Sequence, residues 1–291
     1  MTVGFIGLGN MGAAIAGRLV KGGETLVVWN RSPEPAERFA AETGARRATS
    51  PAEALQADVA FSMLADDAAV EATLVGSGAL EAARKGLVNV NCATVSVALA
   101  ERLEARHRDL GLAYVAAPVL GRPDAAAAGQ LHVLAAGEPA AVAKVRPLLE
   151  LIGQRVWPVG ERAPMANVVK LACNFALAST IETLGEAGAL AKAHGVEPQT
   201  LYEVMTGSLF ASPAWRVYAG LIGERRFEPA GFRLPLGMKD VRLALEAGEA
   251  AHTPLPIASL LRDHFLAAIA AGDADKDWSA VAMTAFRNAG L

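Results

Sequence analysis

Val3-Gly4-Phe5-Ile6-Gly7-Leu8-Gly9-Asn10-Met11-Gly12 runs a short apolar segment straight into three glycines spaced G-x-G-x-x-G. Val3–Ile6 reads as a strand and Met11–Lys21 as the helix after it, the context in which this spacing carries meaning. Gly7 permits a tight turn, Gly9 lets a pyrophosphate approach the backbone, and Gly12 allows close packing of helix on strand, while the helix N-terminus faces the phosphates. An ordinary glycine-rich turn requires neither flanking element. The stretch Gly7, Leu8, Gly9, Asn10, Met11 and Gly12 is therefore expected to hold a dinucleotide.

Outward from this turn the chain alternates strands and helices. A second strand, Leu26–Trp29, leads to a helix at Pro33–Glu42, and further strands are expected at Asp58–Leu64, Leu87–Asn91, Ala113–Ala117, Leu131–Ala136 and Arg155–Val159. Such alternation marks a parallel sheet covered by helices, here a Rossmann-type doubly wound α/β domain. The second strand ends at Asn30-Arg31-Ser32, where the fold reads the adenosine ribose. An NAD-preferring site uses Asp or Glu there, and this chain has neither. Asn30, Arg31 and Ser32 offer donors and a positive charge suited to a 2′-phosphate, so NADPH (NADP+) is expected over NADH. A solvated arginine in a loop is the alternative.

After Gly160 the texture becomes helical, with Pro and Gly punctuation at Ser212-Pro213, Glu228-Pro229 and Thr253-Pro254. We expect a dinucleotide-binding domain over residues 1–161 and an all-helical domain over 162–291, which opens on a long helix from Pro164 to His194. That helix carries Asn167, Lys170 and Asn174 at i, i+3 and i+7, one stripe among Val168, Val169, Leu171, Ala172, Phe175 and Ala176. Desolvation there favours the neutral form of Lys170, which would make it a usable proton donor and acceptor, with Asn174 orienting it or the substrate. The alternative is a lysine that snorkels to solvent.

Composition narrows the classes. At 291 residues the chain is about two domains by the prior of ~150 each. Lys and Arg total 27 against 30 Asp and Glu, which argues against a nucleic-acid partner. An apolar fraction of 53% with 20% charged residues excludes a disordered chain. Cys92 and Cys173 have no disulfide or metal spacing, the start lacks a signal-peptide pattern, and Lys170 and Asn174 interrupt the most apolar stretch, Met165–Ile181. A cytoplasmic protein without a membrane span follows. Asp273–Asp277 begins like a calcium loop but has Trp278 and Thr284 where Gly and Glu are required. Gly76-Ser77-Gly78 is no hydrolase elbow. The five histidines are scattered, with surface or helix-end roles expected, and Arg102, Arg106 and Arg108 with Glu101, Glu104 and Asp109 read as a solvated helix face.

Taken in order, Gly7–Gly12, Asn30-Arg31-Ser32, Met63-Leu64, Ala93-Thr94-Val95, Ala117-Pro118-Val119, Lys170 with Asn174, and Lys239-Asp240 resemble the β-hydroxyacid dehydrogenase family over the whole chain. This family includes 3-hydroxyisobutyrate dehydrogenase and glyoxylate/succinic semialdehyde reductase. The resemblance implies that the long helix is an interdomain one, that residues 162–291 form an all-helical substrate and dimerisation domain of the 6-phosphogluconate dehydrogenase-like kind, and that the protein is a homodimer or homotetramer. It implies a catalytic Lys170, a substrate-contacting Asn174, and cofactor contacts at Met63, Leu64, Thr94 and Lys239. Where relatives carry a Ser-Gly-Gly grip for the substrate carboxylate, this chain has Pro118-Val119-Leu120-Gly121-Arg122. Backbone donors at Gly121 and Arg122, or the Arg122 guanidinium, could hold an anion; a solvated loop fits equally.

The expected function is reversible hydride transfer between nicotinamide and a small carbonyl or β-hydroxyacid-type substrate in the cleft between the domains, with Lys170 as general acid/base. Two rivals are an imine reductase-like activity, which usually lacks the lysine, and a non-catalytic NADPH-binding sensor or scaffold.

Overall fold

A computed structural model describes residues 1–291, which form two compact units, Met1–Lys170 and Leu171–Leu291. In the first unit the strands are β1 (Thr2–Ile6), β2 (Thr25–Trp29), β3 (Arg46–Arg47), β4 (Val59–Ser62), β5 (Val88–Asn91), β6 (Ala113–Ala116), β7 (Val119–Leu120), β8 (Leu131–Gly137) and β9 (Gly153–Gly160). The longer helices are α1 (Asn10–Lys21), α2 (Pro33–Thr43), α3 (Val97–Asp109), α4 (Pro123–Ala128) and α5 (Pro139–Ile152).

Strands β3-β2-β1-β4-β5-β6 are parallel neighbours in that order. This is the doubly wound order, and chain direction across the sheet reverses beside β1. Because side chains alternate across a strand, the two faces bury different residues. Val3, Phe5, Val28, Phe61 and Val90 pack with Ile15, Leu19 and Phe39 of α1 and α2, and with Val145 and Leu149 of α5. Ile6, Val27 and Ala60 pack on the other face with Leu99 and Leu103 of α3. Each such fully buried side chain contributes about 1.5–3 kcal/mol, which makes the sheet a rigid platform.

The sheet is not parallel throughout, as the alternation of strands and helices led us to expect. β8 runs antiparallel to both β6 and β7, while β9 is parallel to β8. The strand expected at Asp58–Leu64 is shorter, since Met63 and Leu64 already belong to the following loop. His107, expected at a surface or helix end, lies in the last turn of α3 but is fully buried. It stacks on Tyr114 and is held through Leu103 O and Asn89 Nδ2. Burial pushes its pKa down to about 4.

Helix α6 (Pro164–Ala193) is 30 residues long, and the division between the units falls inside it. The second unit continues with α7 (Pro198–Gly207), α8 (Pro213–Gly223), α9 (Leu234–Ala250), α10 (Pro256–Ala270) and α11 (Met283–Asn288). Pro198, Pro213 and Pro256 open their helices, where a missing N–H costs nothing. The core is built on Ile181, Leu184, Tyr202, Ile222, Phe265 and Trp278. The Asp273–Asp277 stretch serves this packing. Asp277 Oδ2 accepts from the Gly231 and Phe232 N–H groups at 3.1 Å each, and Asp273 is paired with Lys276 and Arg287. No helix is long and apolar enough to cross a membrane.

Candidate active site

Because β1, β2, β4, β5 and β6 are parallel, their carboxyl ends share one edge of the first unit, and the residues that follow them gather there. Gly7 follows β1 with φ of +95°, where a side chain would strain the backbone and also collide with Met63 O. A Cβ at Gly12 would collide with Gly7 O, so close is α1 to the turn. Gly9 caps α1, and a Cβ there would meet nothing within 4 Å. The open space lies over the first N–H groups of a helix with no acidic residue in its first turn, a setting that accepts a phosphate. The glycine turn thus fits a dinucleotide on geometry alone.

Asn30, Arg31 and Ser32 follow β2. Asn30 is occupied internally: its Oδ1 accepts from Leu8 N–H at 2.9 Å and its Nδ2 donates to Ser32 O at 2.9 Å. It therefore braces the glycine turn against the ribose-reading loop, and Arg31 is left exposed to solvent at that edge. Met63 and Leu64 follow β4 at the reversal point, each half-buried, and Met63 N–H donates to Ile6 O at 2.9 Å. Thr94 follows β5, on a loop pinned from two sides. Asn91 Oδ1 accepts from Ala93 N–H at 3.0 Å, and Asp67 Oδ1 from Ser96 N–H at 2.9 Å. Pro118 is buried between β6 and β7, Leu120 is half-buried in β7, Gly121 has φ of +140°, and Arg122 caps α4.

On α6 the polar stripe is turned inward. Asn167 is 1% exposed, Lys170 8% and Asn174 5%, whereas Val168 and Ala172, expected among the apolar cover, face solvent. In the second unit Asn174 Nδ2 donates to Asp240 Oδ2, and Lys239 Nζ lies 3.1 Å from Asp240 Oδ1. Asp240, only 2% exposed, entered the sequence reasoning only as part of the Lys239-Asp240 pair and was given no role there. Its signal was present in the Lys239-Asp240 pair on a helix otherwise carrying Leu, Val and Ala on its buried face. Cys173 is half-exposed, and burial pushes the Cys92 thiol up to about 12, so it is inert.

Residues 2–160 match a family model for the NAD-binding domain of 6-phosphogluconate dehydrogenase, and residues 165–285 one for the NAD-binding of NADP-dependent 3-hydroxyisobutyrate dehydrogenase. The uncharacterized oxidoreductase YfjR of Bacillus subtilis is 39% identical over 97% of this chain and 98% of its own. An NAD-dependent L-serine dehydrogenase of Pseudomonas aeruginosa is 34% identical over 96% of each. The solved Mycobacterium tuberculosis 3-hydroxyisobutyrate dehydrogenase with L-serine superposes with a TM-score of 0.88 at 31% identity, covering 97% of this chain and 98% of that one. With a doubly wound sheet, a glycine turn that fits a dinucleotide and relatives matched end to end, the chain belongs to the β-hydroxyacid dehydrogenase family and is an NAD(P)-dependent oxidoreductase acting on a small CH–OH or C=O substrate.

Proposed function

We propose an NADPH-preferring dehydrogenase or reductase of a small carbonyl or β-hydroxyacid-type substrate, with Lys170 as general acid/base. The observation that carries this reading is a lysine buried on a helix face between two asparagines, Asn167 and Asn174. The bound nicotinamide supplies or accepts the hydride. As the carbonyl is reduced, the Lys170 ammonium gives a proton to its oxygen. In the oxidative direction neutral Lys170 takes the hydroxyl proton. Asn174, held by Asp240, orients the substrate, with Lys239 beside it.

The backbone N–H groups of the Gly7–Gly12 turn would hold the pyrophosphate, Met63, Leu64 and Thr94 would contact the cofactor, and Arg31 with Ser32 would take the 2′-phosphate. Asn30 contributes by bracing rather than by contact. The P. aeruginosa relative is named NAD-dependent, so the preference for NADPH rests on Arg31 and the lack of an acid among residues 30–32. Pro118, Leu120, Gly121 and Arg122 form the substrate wall, with Leu120 giving it an apolar patch where the family grip is polar. The domain division we favour is 1–161 for the cofactor and 162–291 for substrate and dimerisation. The assembly we favour, a homodimer or homotetramer, rests on the family resemblance, and light scattering tests it.

The deciding experiment assays NADPH and NADH against glyoxylate, succinic semialdehyde, L-serine, 3-hydroxyisobutyrate and a cyclic imine, beside Lys170→Ala. Turnover of a carbonyl or β-hydroxyacid that collapses in the variant supports the reading. Wild-type rates in the variant, or turnover of the imine alone, overturn it.

A further inference from the structure

Asn167 is the member of the α6 stripe that the chemistry above leaves without a task. It is almost completely enclosed, and its Oδ1 has no hydrogen-bond partner. Swapping the amide's two ends would only exchange which atom is buried there. An unsatisfied buried acceptor costs stability, and folded proteins leave few of them. Asn89 and Glu182 also bury an unpartnered oxygen, but each is anchored through its other polar atom, Asn89 to His107 and Glu182 to His264. Leucine has the same number and branching of side-chain heavy atoms as asparagine and would remove the penalty. A chain that carries asparagine instead holds an acceptor ready for something that arrives.

Position says where. Asn167 precedes Lys170 by three residues on one continuous helix, so the two side chains leave the same face, with Cβ atoms about 5–6 Å apart. A ligand group that meets the Asn167 oxygen is therefore next to the atom that exchanges its proton with Lys170.

We infer that Asn167 determines specificity: its Oδ1 accepts a hydrogen bond from an N–H or O–H group of the bound ligand, adjacent to the atom protonated by Lys170. This rests on the acid/base reading of Lys170. Two sources carry such a donor, the carboxamide of the nicotinamide and an amino or second hydroxyl group on the substrate.

The test uses the full chain as Asn167→Leu and Asn167→Ala, with three readouts: melting temperature without ligand, NADPH dissociation constant by fluorescence titration, and KM and kcat for the best substrate of the panel. The expected result is a leucine variant that melts at or above the wild-type temperature while one binding readout weakens about tenfold or more. A weaker NADPH constant places the donor on the carboxamide. An unchanged constant with a raised KM places it on the substrate, and substrates lacking the amino or second hydroxyl group then lose nothing. The inference is overturned if both variants keep NADPH and substrate constants within twofold of wild type, or if the leucine variant melts lower, since the amide would then be structural. Wild-type rates in Lys170→Ala would sink the acid/base reading separately, because the NADPH titration does not depend on turnover.

Discussion

At the carboxyl edge of the sheet the polar groups offered to a ligand are mostly main-chain N–H groups, exposed because glycines remove the side chains that would cover them. On α6 they are side chains, Asn167, Lys170 and Asn174, enclosed on a helix whose outward face carries Val168 and Ala172. The first arrangement depends on what is missing from the sequence. The second depends on what is present, and it carries the cost of burying polar groups. A backbone-built site binds without discriminating much, while a side-chain-built one can move a proton and choose between substrates.

Replacing Lys170 with alanine separates the two regions most sharply. We expect kcat to fall about 10²–10⁴-fold, the usual worth of a positioned acid/base, with NADPH affinity within twofold by titration. A comparable loss of affinity would mean that α6 contributes to cofactor binding and that the contrast is too clean.

The largest effect on stability is expected from the buried His107. Its pKa is about 4 in the folded chain against 6.5 unexposed to such burial, so between those values the unfolded chain binds more protons than the folded one. Stability is complete above pH 6.5 and is lost as pH falls toward 4, by about 3 kcal/mol at ~1.4 kcal/mol per unit. Urea unfolding at pH 7 and pH 5 should show about 2 kcal/mol of that loss, and His107→Gln should shrink it. An equal acid loss in the variant would assign it to other groups.

Gly9→Val and Gly12→Val probe the edge itself. Space is open at Gly9 and filled at Gly12. The Gly9 variant should keep its melting temperature and bind NADPH about 10–100-fold more weakly, whereas the Gly12 variant should lose melting temperature as well. Calorimetry with and without NADPH distinguishes them, and two identical outcomes would contradict the separate roles. The smallest effect is expected from Arg31→Ala, about tenfold on NADPH with NADH unchanged, in keeping with one exposed charge-assisted contact. Equal weakening of both cofactors would remove the 2′-phosphate assignment.

The comparison also explains what could be read before the structure. Gly7, Gly9 and Gly12 are legible because each spacing answers a backbone requirement, and the strands because β-branched runs recur between helices. β7 escaped that reading, and β8 was read as a strand but not as one that runs antiparallel. Val119–Leu120 is too short to show a period, and nothing local distinguishes a strand that will pair antiparallel from one that will pair parallel. The Asn167, Lys170 and Asn174 stripe was visible as spacing, but its inward direction was not, since apolar residues occupy most other positions on the helix. Asp240 depends on a partner 66 residues away, Asn174, and no short window contains both, while the burial of His107 depends on the β5 and β6 strands that bring Asn89 and Tyr114 against it.

The uninterrupted course of α6 has a consequence for how such a chain can be taken apart. Lys170 closes one compact unit and Leu171 opens the next, yet the helical ladder requires the Lys170 carbonyl to accept from the Asn174 amide four residues on. A cut or graft at that seam would leave the Lys170 ammonium on a fraying end, and on the acid/base reading proposed above such a fragment keeps its glycine turn and loses its proton donor. Recombination between relatives should therefore tolerate crossovers ahead of Pro164 far better than crossovers within the helix.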